Sequence, residues 1–445
     1  MSDYSDQIKF HLLNNERGNS SIFGRPSLTV PEAAERLLRA DTFWPVHASE
    51  PAHVSYAFMN NDTFPGYPEG LADFFEFTDT QKEHTRLAMQ SWSDTANVVF
   101  DEVNDPTPQL LLGNVAGGLA DGGVTYLYTY QNGPTLYHAN TWVNPNGHEP
   151  QVGTYDHEIL IHEIGHVLGL EHPGNYNSAG EQGTDGGYEE LATYVEDTRM
   201  FSAMSYWSEF ETNGDFQGRC NSGPMVDDIY AIQQVYGENT HAFAGDTTYG
   251  FHSTAGRAQY TANLPTDKLL FCVWDSGGDD TFDFSGYTQN QVINLNPGSF
   301  SDVGGLTANV SIALGTHIEN ALGGLGDDIL IGNDDSNILR GSAGDNIIYG
   351  GGGADTLWGG PGANVYVYMA VSDSTGQAPD CIADFKTGTD RIDVSAIAAT
   401  FTGPLMVEND ADTTTATVLA HTNTGQDFAI SLGAPANILT DFIFE

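Results

Sequence analysis

The stretch His162-Glu163-Ile164-Gly165-His166-Val167-Leu168-Gly169-Leu170-Glu171-His172 carries the groups needed to hold a divalent metal and to activate water beside it. His162 and His166 lie one helical turn apart, so on a helix both imidazoles leave the same face. Glu163 is adjacent and can reach a water on the metal. His172 stands six residues beyond His166. On a continuing helix it would be rotated by about 600°, onto the wrong side. Gly169 resolves this, because a glycine can end the helix in a left-handed conformation and let the chain return. Three neutral imidazoles with a position left for water describe a catalytic zinc site and not a closed structural one. The chemistry is hydrolysis, with Glu163 taking the proton of the water that attacks a carbonyl. Chance alignment of the five specified residues is on the order of 10⁻⁴ for this motif. The neighbouring pair His157-Glu158 lacks a second ligand, since residue 161 is Ile.

The helix holding this stretch is expected to begin near Thr154. Residues 27–40 (SLTVPEAAERLLRA) place Pro31 and Glu32 in a first turn followed by strong helix formers. A further helix is expected over 79–97, with Leu87, Ala88, Trp92 and Ala96 as its apolar positions, and another over 225–236. Strands are expected at 98–102, 109–113 and 139–143, the last as an edge offered to an extended substrate. Residues 1–25 are polar and rich in Gly and Asn, and read as a flexible leader, of which 1–15 form the leader proper or a pro-segment. The first residues have neither the basic region nor the apolar core of a secretory signal peptide, so this end alone reads as cytoplasmic.

Composition narrows the partners. Sixty acidic side chains against 14 basic ones leave a net charge of −46, which excludes nucleic acid and disfavours anionic membranes. No window is apolar enough to span a bilayer. Cys220, Cys272 and Cys381 are far apart and show no metal spacing, and Cys272 lies in an apolar run that favours a buried thiol. Disulfides are therefore not expected to staple the chain, and 445 residues are enough for more than one core.

After about residue 240 helix formers become scarce, and short apolar runs bounded by Gly and Asp predict an all-β region. Within it a period of nine runs unbroken over 323–367, as GGLGDDILI, GNDDSNILR, GSAGDNIIY, GGGGADTLW and GGPGANVYV. Each segment opens on Gly; position eight is Leu330, Leu339, Ile348, Leu357 and Tyr366. Small residues at the first five positions allow a tight turn with inward carbonyls, the sixth position adds an oxygen, and the last three form a strand that buries one side chain. Stacked turns make rows of oxygen cages suited to Ca²⁺, which accepts six to eight oxygens. The expected donors are Gly324, Gly326 and Asp328; Asn333, Asp335 and Asn337; Ser342, Gly344 and Asn346; Gly351, Gly353 and Asp355; Gly360, Gly362 and Asn364. Asn in place of Asp at position six of three repeats is expected to weaken those sites.

A Met-containing turn, Phe201-Ser202-Ala203-Met204-Ser205-Tyr206-Trp207, follows the histidines at the distance seen in metzincins. With HEIGHVLGLEHPGNYN (162–177), EDTRMFSAMSYW (196–207), WDSGGDDTFDFSGY (274–287) and the nonapeptides, the chain resembles the serralysin family of secreted bacterial metalloproteases from about Pro26 onward. The resemblance implies an α+β metzincin catalytic domain over 16–240, followed over 241–445 by an all-β parallel β-roll or β-sandwich domain that binds calcium. It implies that Met204 forms an apolar floor. It also implies that Tyr206 is a further zinc ligand, which swings away to donate a hydrogen bond to the tetrahedral intermediate; from the residues alone Tyr206 could equally be a packed core tyrosine. Further calcium donors follow from the resemblance: the carbonyls of Phe243, Gly245 and Thr247 with Asp275, Gly277, Gly278 and Asp280; the carbonyl of His317, usually a smaller residue, with Glu319; and Asp384 and Asp390 closing the last sites.

The final residues Asp441-Phe442-Ile443-Phe444-Glu445 resemble the uncleaved tail that addresses family members to a type I secretion channel, although a final β-strand would read the same. Together with the repeats they outweigh the missing N-terminal signal, and the expected location is extracellular. The expected cofactors are one catalytic Zn²⁺ and several structural Ca²⁺. The expected activity is a broad-specificity endopeptidase, acting as a monomer on protein or peptide substrates, with the type I secretion machinery and a small proteinaceous inhibitor as further partners. The alternatives are a matrixin-like or astacin-like protease, against which the nonapeptides stand, or a calcium-binding surface adhesin with a vestigial metal site, against which all five motif residues stand.

Overall fold

A computed structural model describes residues 4–22, 24–46, 50–105, 107–119, 122–130, 133–145, 147–176, 187–409, 415–423 and 425–444. The chain divides into two compact units: residues 17–242 with 270–276, and Met1–Glu16 with Phe243–Leu269 and Gly277–Glu445.

The first unit is α/β. Its sheet runs in the order Val98–Glu102, Ala52–Phe58, Leu110–Gly117, Leu136–Asn144, Gly122–Thr129, with Ala72–Phe75 pairing onto Leu110–Gly117. The first four strands are parallel, and Gly122–Thr129 returns antiparallel along Leu136–Asn144. The edge strand is therefore Gly122–Thr129, which corrects the expectation of an edge at 139–143. A hairpin folds the later strand inside, where Ala139, Trp142 and Val143 are buried. Helices Val30–Leu37 and Asp79–Thr95 start at Thr29 and Thr78, and each closes a capping box with Glu32 or Gln81. Trp92 of the second helix donates to the carbonyl of Ile161 (3.1 Å), and Trp44 donates to that of Val167 (2.8 Å). These indole contacts fix the histidine-bearing helix Tyr155–Val167 against the core formed by Val54, Leu112, Ala139, Ile164 and Met204.

The second unit is built mainly from short parallel strands in two sheets, with an antiparallel extension formed by Met406–Asn409, Ala416–Ala420 and Phe428–Leu432. One contains Val292–Asn294, Ile329–Ile331, Ile347–Tyr349, Val365–Val367, Arg391–Asp393 and Phe442–Ile443. The other includes Thr248–Gly250, Thr281–Asp283, Asn320–Leu322, Ile338–Arg340, Thr356–Trp358 and Asp380–Ile382. Successive nonapeptides alternate between the sheets, so Ile329 pairs with Ile347 and Ile338 with Thr356. Position eight points inward throughout, and none of its five residues is more than 1% exposed. The glycine that opens each repeat has a packing reason: a Cβ at Gly350 would stand 2.0 Å from Oδ2 of Asp355.

One expectation about the termini changes. Tyr4–Leu13 is a helix and not a flexible leader. Ile8 is fully buried against Ile331, Val365 and Val367, flanked at helical spacing by Tyr4 and Leu12, and Asn15 accepts from the Phe300 N–H (3.0 Å). A single apolar stripe inside a polar segment was enough to dock it. At the other end Phe442–Ile443 is a strand, and buried Asp441 accepts from Thr387, Gly388 and Asn437; Glu445 lies outside the described residues. Among the described residues no helix is long and apolar enough to cross a membrane.

Replacing Ile8 with Ala should cost the second unit about 2–4 kcal/mol, from lost burial and the cavity left behind. Thermal unfolding followed by circular dichroism checks this, and an unchanged transition would refute a structural role for the N-terminal helix.

Candidate metal centre

Thr154 precedes the helix Tyr155–Val167, which carries His162, Glu163 and His166. It ends as the motif predicts. Gly169 has φ +95°, Leu170 N–H donates to the carbonyl of Gly165 (3.0 Å), and Gly169 N–H donates to that of His166 (2.9 Å). This double bond is a Schellman closure, and it turns the chain back so that His172 joins the other two histidines. A Cβ at Gly169 would also stand 2.2 Å from the Thr42 carbonyl oxygen, so no larger residue fits.

The three Nε2 atoms form a triangle with every side 3.1 Å. Each Nδ1 faces a carbonyl oxygen: Ala203 for His162 (2.9 Å), Leu170 for His166 (2.7 Å) and Tyr176 for His172 (2.7 Å). A ring nitrogen against a carbonyl must carry the proton. Burial pushes His162 well below its ordinary pKa and His166 down to about 4, so both are neutral near pH 7. Three bare Nε2 lone pairs therefore point at one another, an arrangement that repels unless a cation lies between them. Among the described residues this is the one group of three or more His, Cys, Asp or Glu whose ligand atoms converge in this way. The donor set fits zinc: three imidazoles, each with its other nitrogen held by backbone.

Glu163 is 3% exposed, and Oγ1 of Thr125 donates to its Oε2 (2.7 Å). Burial raises its pKa to about 8, against the Thr125 hydrogen bond, and a cation held at the adjacent histidines would oppose that rise. A Cβ at Gly123 would stand 2.5 Å from Cγ of Glu163, so the edge strand lies directly against the carboxylate. Glu163 and Tyr206 line two cavities, of about 520 Å³ toward Leu127 and Tyr176 and about 660 Å³ toward Tyr126 and Ile159. The Tyr206 ring lies 4.4 Å from that of His172 and 5.7 Å from that of His162, centroid to centroid.

The Met turn is fixed from below. Met204 is fully buried, and a Cβ at Gly165 would stand 2.4 Å from its Sδ. Asp228 accepts from Ser202 Oγ (2.6 Å), Ala203 N (2.7 Å) and Met225 N (2.9 Å), and burial raises its pKa to about 7. Asp197 accepts from Tyr176 Oη (2.6 Å) and Ser205 Oγ (2.8 Å), which steadies the residue whose carbonyl holds His172. Thr125, Tyr176, Asp197 and Asp228 were not singled out by the sequence reading. Asp197 and Tyr176 lie inside the stretches that carry the family resemblance, and Thr125 sits in a Val-Thr-Tyr-Leu-Tyr-Thr run of strand-forming residues.

In the second unit Asp280 Oδ1 accepts from Thr247 N (2.7 Å), Thr247 Oγ1 donates to the Gly245 carbonyl (2.7 Å), and Glu319 Oε2 accepts from Asp280 N (2.7 Å). Gly278 packs on the same turn, where its Cβ would meet Gly245 at 2.7 Å. Phe243 adopts φ +53°, and the His317 ring bonds Asp335 (2.6 Å). Asp384 accepts from the N–H groups of Gly359 and Gly360, and Asp390 from those of Asn364 and Lys386. Asp275 falls within the first unit, where it is 2% exposed. Cys220, Cys272 and Cys381 form no disulfide.

Residues 238–444 match the family model described as peptidase M10 serralysin C terminal. Metalloprotease AprA of Pseudomonas entomophila (strain L48) is 49% identical over 395 residues, which are 86% of this chain and 80% of that protein. Serralysin C of Dickeya chrysanthemi is 44% identical over 98% of this chain and 94% of its own length, and serralysin A of the same organism is 48% identical over 88% and 82%. With the histidine centre, these relatives define the class as a zinc metalloendopeptidase. Within that class, the chain belongs to the serralysin family.

Asp228→Ala would strand three buried donors, each at about 1–3 kcal/mol. The expected outcome is a marked fall in denaturant midpoint together with loss of bound metal by elemental analysis; wild-type values for both would refute the anchoring role.

Proposed function

We propose that this protein is a secreted endopeptidase of broad specificity with a metzincin-type catalytic unit and a calcium-stabilised repeat unit. The observation that carries the catalytic reading is the convergence of three bare Nε2 atoms beside a buried carboxylate. Zinc held by His162, His166 and His172 supplies a Lewis acid that lowers the pKa of water and polarises a carbonyl. Thr125 holds Oε2 of Glu163 and leaves the other oxygen to accept the proton of the attacking water. Glu163 then passes that proton to the leaving amine. The Tyr206 phenol, next to His172, would donate a hydrogen bond to the oxyanion, and the family resemblance makes it a further residue that could hold zinc. An extended peptide pairs along the edge strand Gly122–Thr129, and recognition through backbone atoms tolerates many sequences.

The oxygen-rich turns of the second unit support calcium as the structural ion. Abundant calcium outside the cell then stabilises a unit that scarce cytosolic calcium leaves loose. Type I export and a small protein inhibitor complete the reading as partners, from the family resemblance.

Glu163→Ala should keep its zinc by elemental analysis and lose casein cleavage by about 10²–10⁴-fold or more. Retained cleavage in that variant, or cleavage that survives 1,10-phenanthroline, would sink the catalytic assignment. Chelation by EGTA should lower the melting temperature of the repeat unit, since each ion present at about 100 times its Kd adds about 2.7 kcal/mol. A transition indifferent to EGTA would refute the calcium reading.

A further inference from the structure

Parallel pairing stacks the position-six side chains of the repeats into two rows, which Asp390 and Asp380 continue beyond the nonapeptides. Asp328, Asn346, Asn364 and Asp390 form one; Asn337, Asp355 and Asp380 form the other. In each row one side-chain oxygen accepts from the backbone N–H of the rung before it. Asp328 N donates to Asn346 Oδ1 (2.9 Å), Asn346 N to Asn364 Oδ1 (3.1 Å) and Asn364 N to Asp390 Oδ1 (3.0 Å). In the second row Asn337 N donates to Asp355 Oδ1 (2.9 Å) and Asp355 N to Asp380 Oδ1 (3.0 Å). A backbone donor on each Asn oxygen fixes the amide orientation, because the flipped amide would set N–H against N–H.

The remaining side-chain atom then differs between rungs. At Asn346 and Asn364 it is an amide NH₂. Nδ2 of Asn346 donates to the carbonyls of Gly359 (3.0 Å) and Gly344 (3.3 Å), and Nδ2 of Asn364 donates to that of Gly360 (3.1 Å). The Lys386 ammonium donates to the same Gly360 carbonyl. At Asp355 and Asp380 it is a second carboxylate oxygen. Oδ2 of Asp355 has no hydrogen-bond partner among the described residues, and Oδ2 of Asp380 has no close one, the Tyr368 hydroxyl being the donor group that acts on that carboxylate; the two side chains are 1% and 0% exposed. Burial, together with neighbouring acids that include Asp373, raises Asp355 to about 7 and Asp380 to about 8. Two adjacent buried carboxylates, one with an oxygen that has no donor and the other with a single neutral hydroxyl near it, call for a cation.

We propose that calcium enters the repeat tract unevenly: it binds at the Asp355–Asp380 rung, whereas around Asn346 and Asn364 the amide NH₂ groups and the Lys386 ammonium occupy the carbonyls that a cation would otherwise hold. Asp380, outside the nonapeptides, thereby becomes a calcium ligand, while the turns holding Ser342, Gly344, Asn346, Gly360, Gly362 and Asn364 form a ladder that needs no metal. An Asp at 346 or 364 would instead set a carboxylate oxygen against a carbonyl, which only a cation relieves. The inference rests on the reading of the repeats as calcium-binding.

The test is bound calcium per chain, measured by inductively coupled plasma mass spectrometry on the full-length protein dialysed at a fixed free calcium concentration, in a Glu163→Ala background that prevents self-cleavage. Asp380→Asn and Asp355→Asn should each lose about one ion while keeping the wild-type circular dichroism spectrum, because an amide can close the rung as it does in the other row. Asn346→Asp with Asn364→Asp should gain calcium and melt at a lower temperature in EGTA than the wild type does. If that variant unfolds in EGTA and refolds on adding calcium, the gain is read in that way instead. Wild-type calcium content in the Asp→Asn variants, or unchanged content and unchanged EGTA sensitivity in the Asn→Asp variant, overturns the inference and leaves the calcium reading standing. A wild-type chain that binds no calcium overturns both.

Discussion

Three imidazole lone pairs facing one another across 3.1 Å are the constraint on which the first unit is organised. The arrangement is set by backbone, since each Nδ1 proton is committed to a carbonyl from a different segment. Leu170 belongs to the helix closure, Ala203 to the Met turn and Tyr176 to the loop beyond the third histidine. The supporting residues can be understood by which of these carbonyls they hold in place. Gly169 makes the closure possible, Asp228 anchors the turn and Asp197 steadies Tyr176. A histidine triad needs more than the correct spacing: it needs three acceptors that force the bare nitrogen of each ring inward.

The second unit meets a related problem with oxygen in place of nitrogen. Its turns direct carbonyls and short side chains inward, and something positive must meet them. Where position six is Asn, the chain supplies that positive end itself as an amide N–H, and at Gly360 also as an ammonium. Where a carboxylate is buried with an unpartnered oxygen, the chain does not. The contrast follows from a difference of one group, NH₂ against O⁻. It also bears on the overall charge: the acids of the repeats are a small part of the sixty in the chain, so metal binding by the tract does not account for a net charge of −46.

Most elements were legible because their signals are local. Pro31 with Glu32 marks one helix start and the spacing of Leu87, Ala88, Trp92 and Ala96 marks a second helix, and the nonapeptide period places Leu330, Leu339, Ile348, Leu357 and Tyr366 in the core. The departures occur where a distant partner decides. The N-terminal segment looked like a leader because one buried residue, Ile8, carries little weight in a polar run, yet the surface formed by Ile331, Val365 and Val367 gives it a place to dock. Residues 139–143 looked like an edge strand because nothing in their own composition says that Gly122–Thr129 will pair outside them.

The sequence by itself determined the three-histidine cluster, the carboxylate beside it, the glycine that ends the helix and the strand period of the repeats, because each depends on spacing along one stretch of chain. Only the tertiary structure decided which nitrogen of each histidine faces inward, which strand lies against Glu163, and which position-six side chains are satisfied by hydrogen bonds. Those outcomes depend on acceptors and donors such as Ala203, Thr125 and Asp380, which lie far from their partners in sequence and meet them only through the fold.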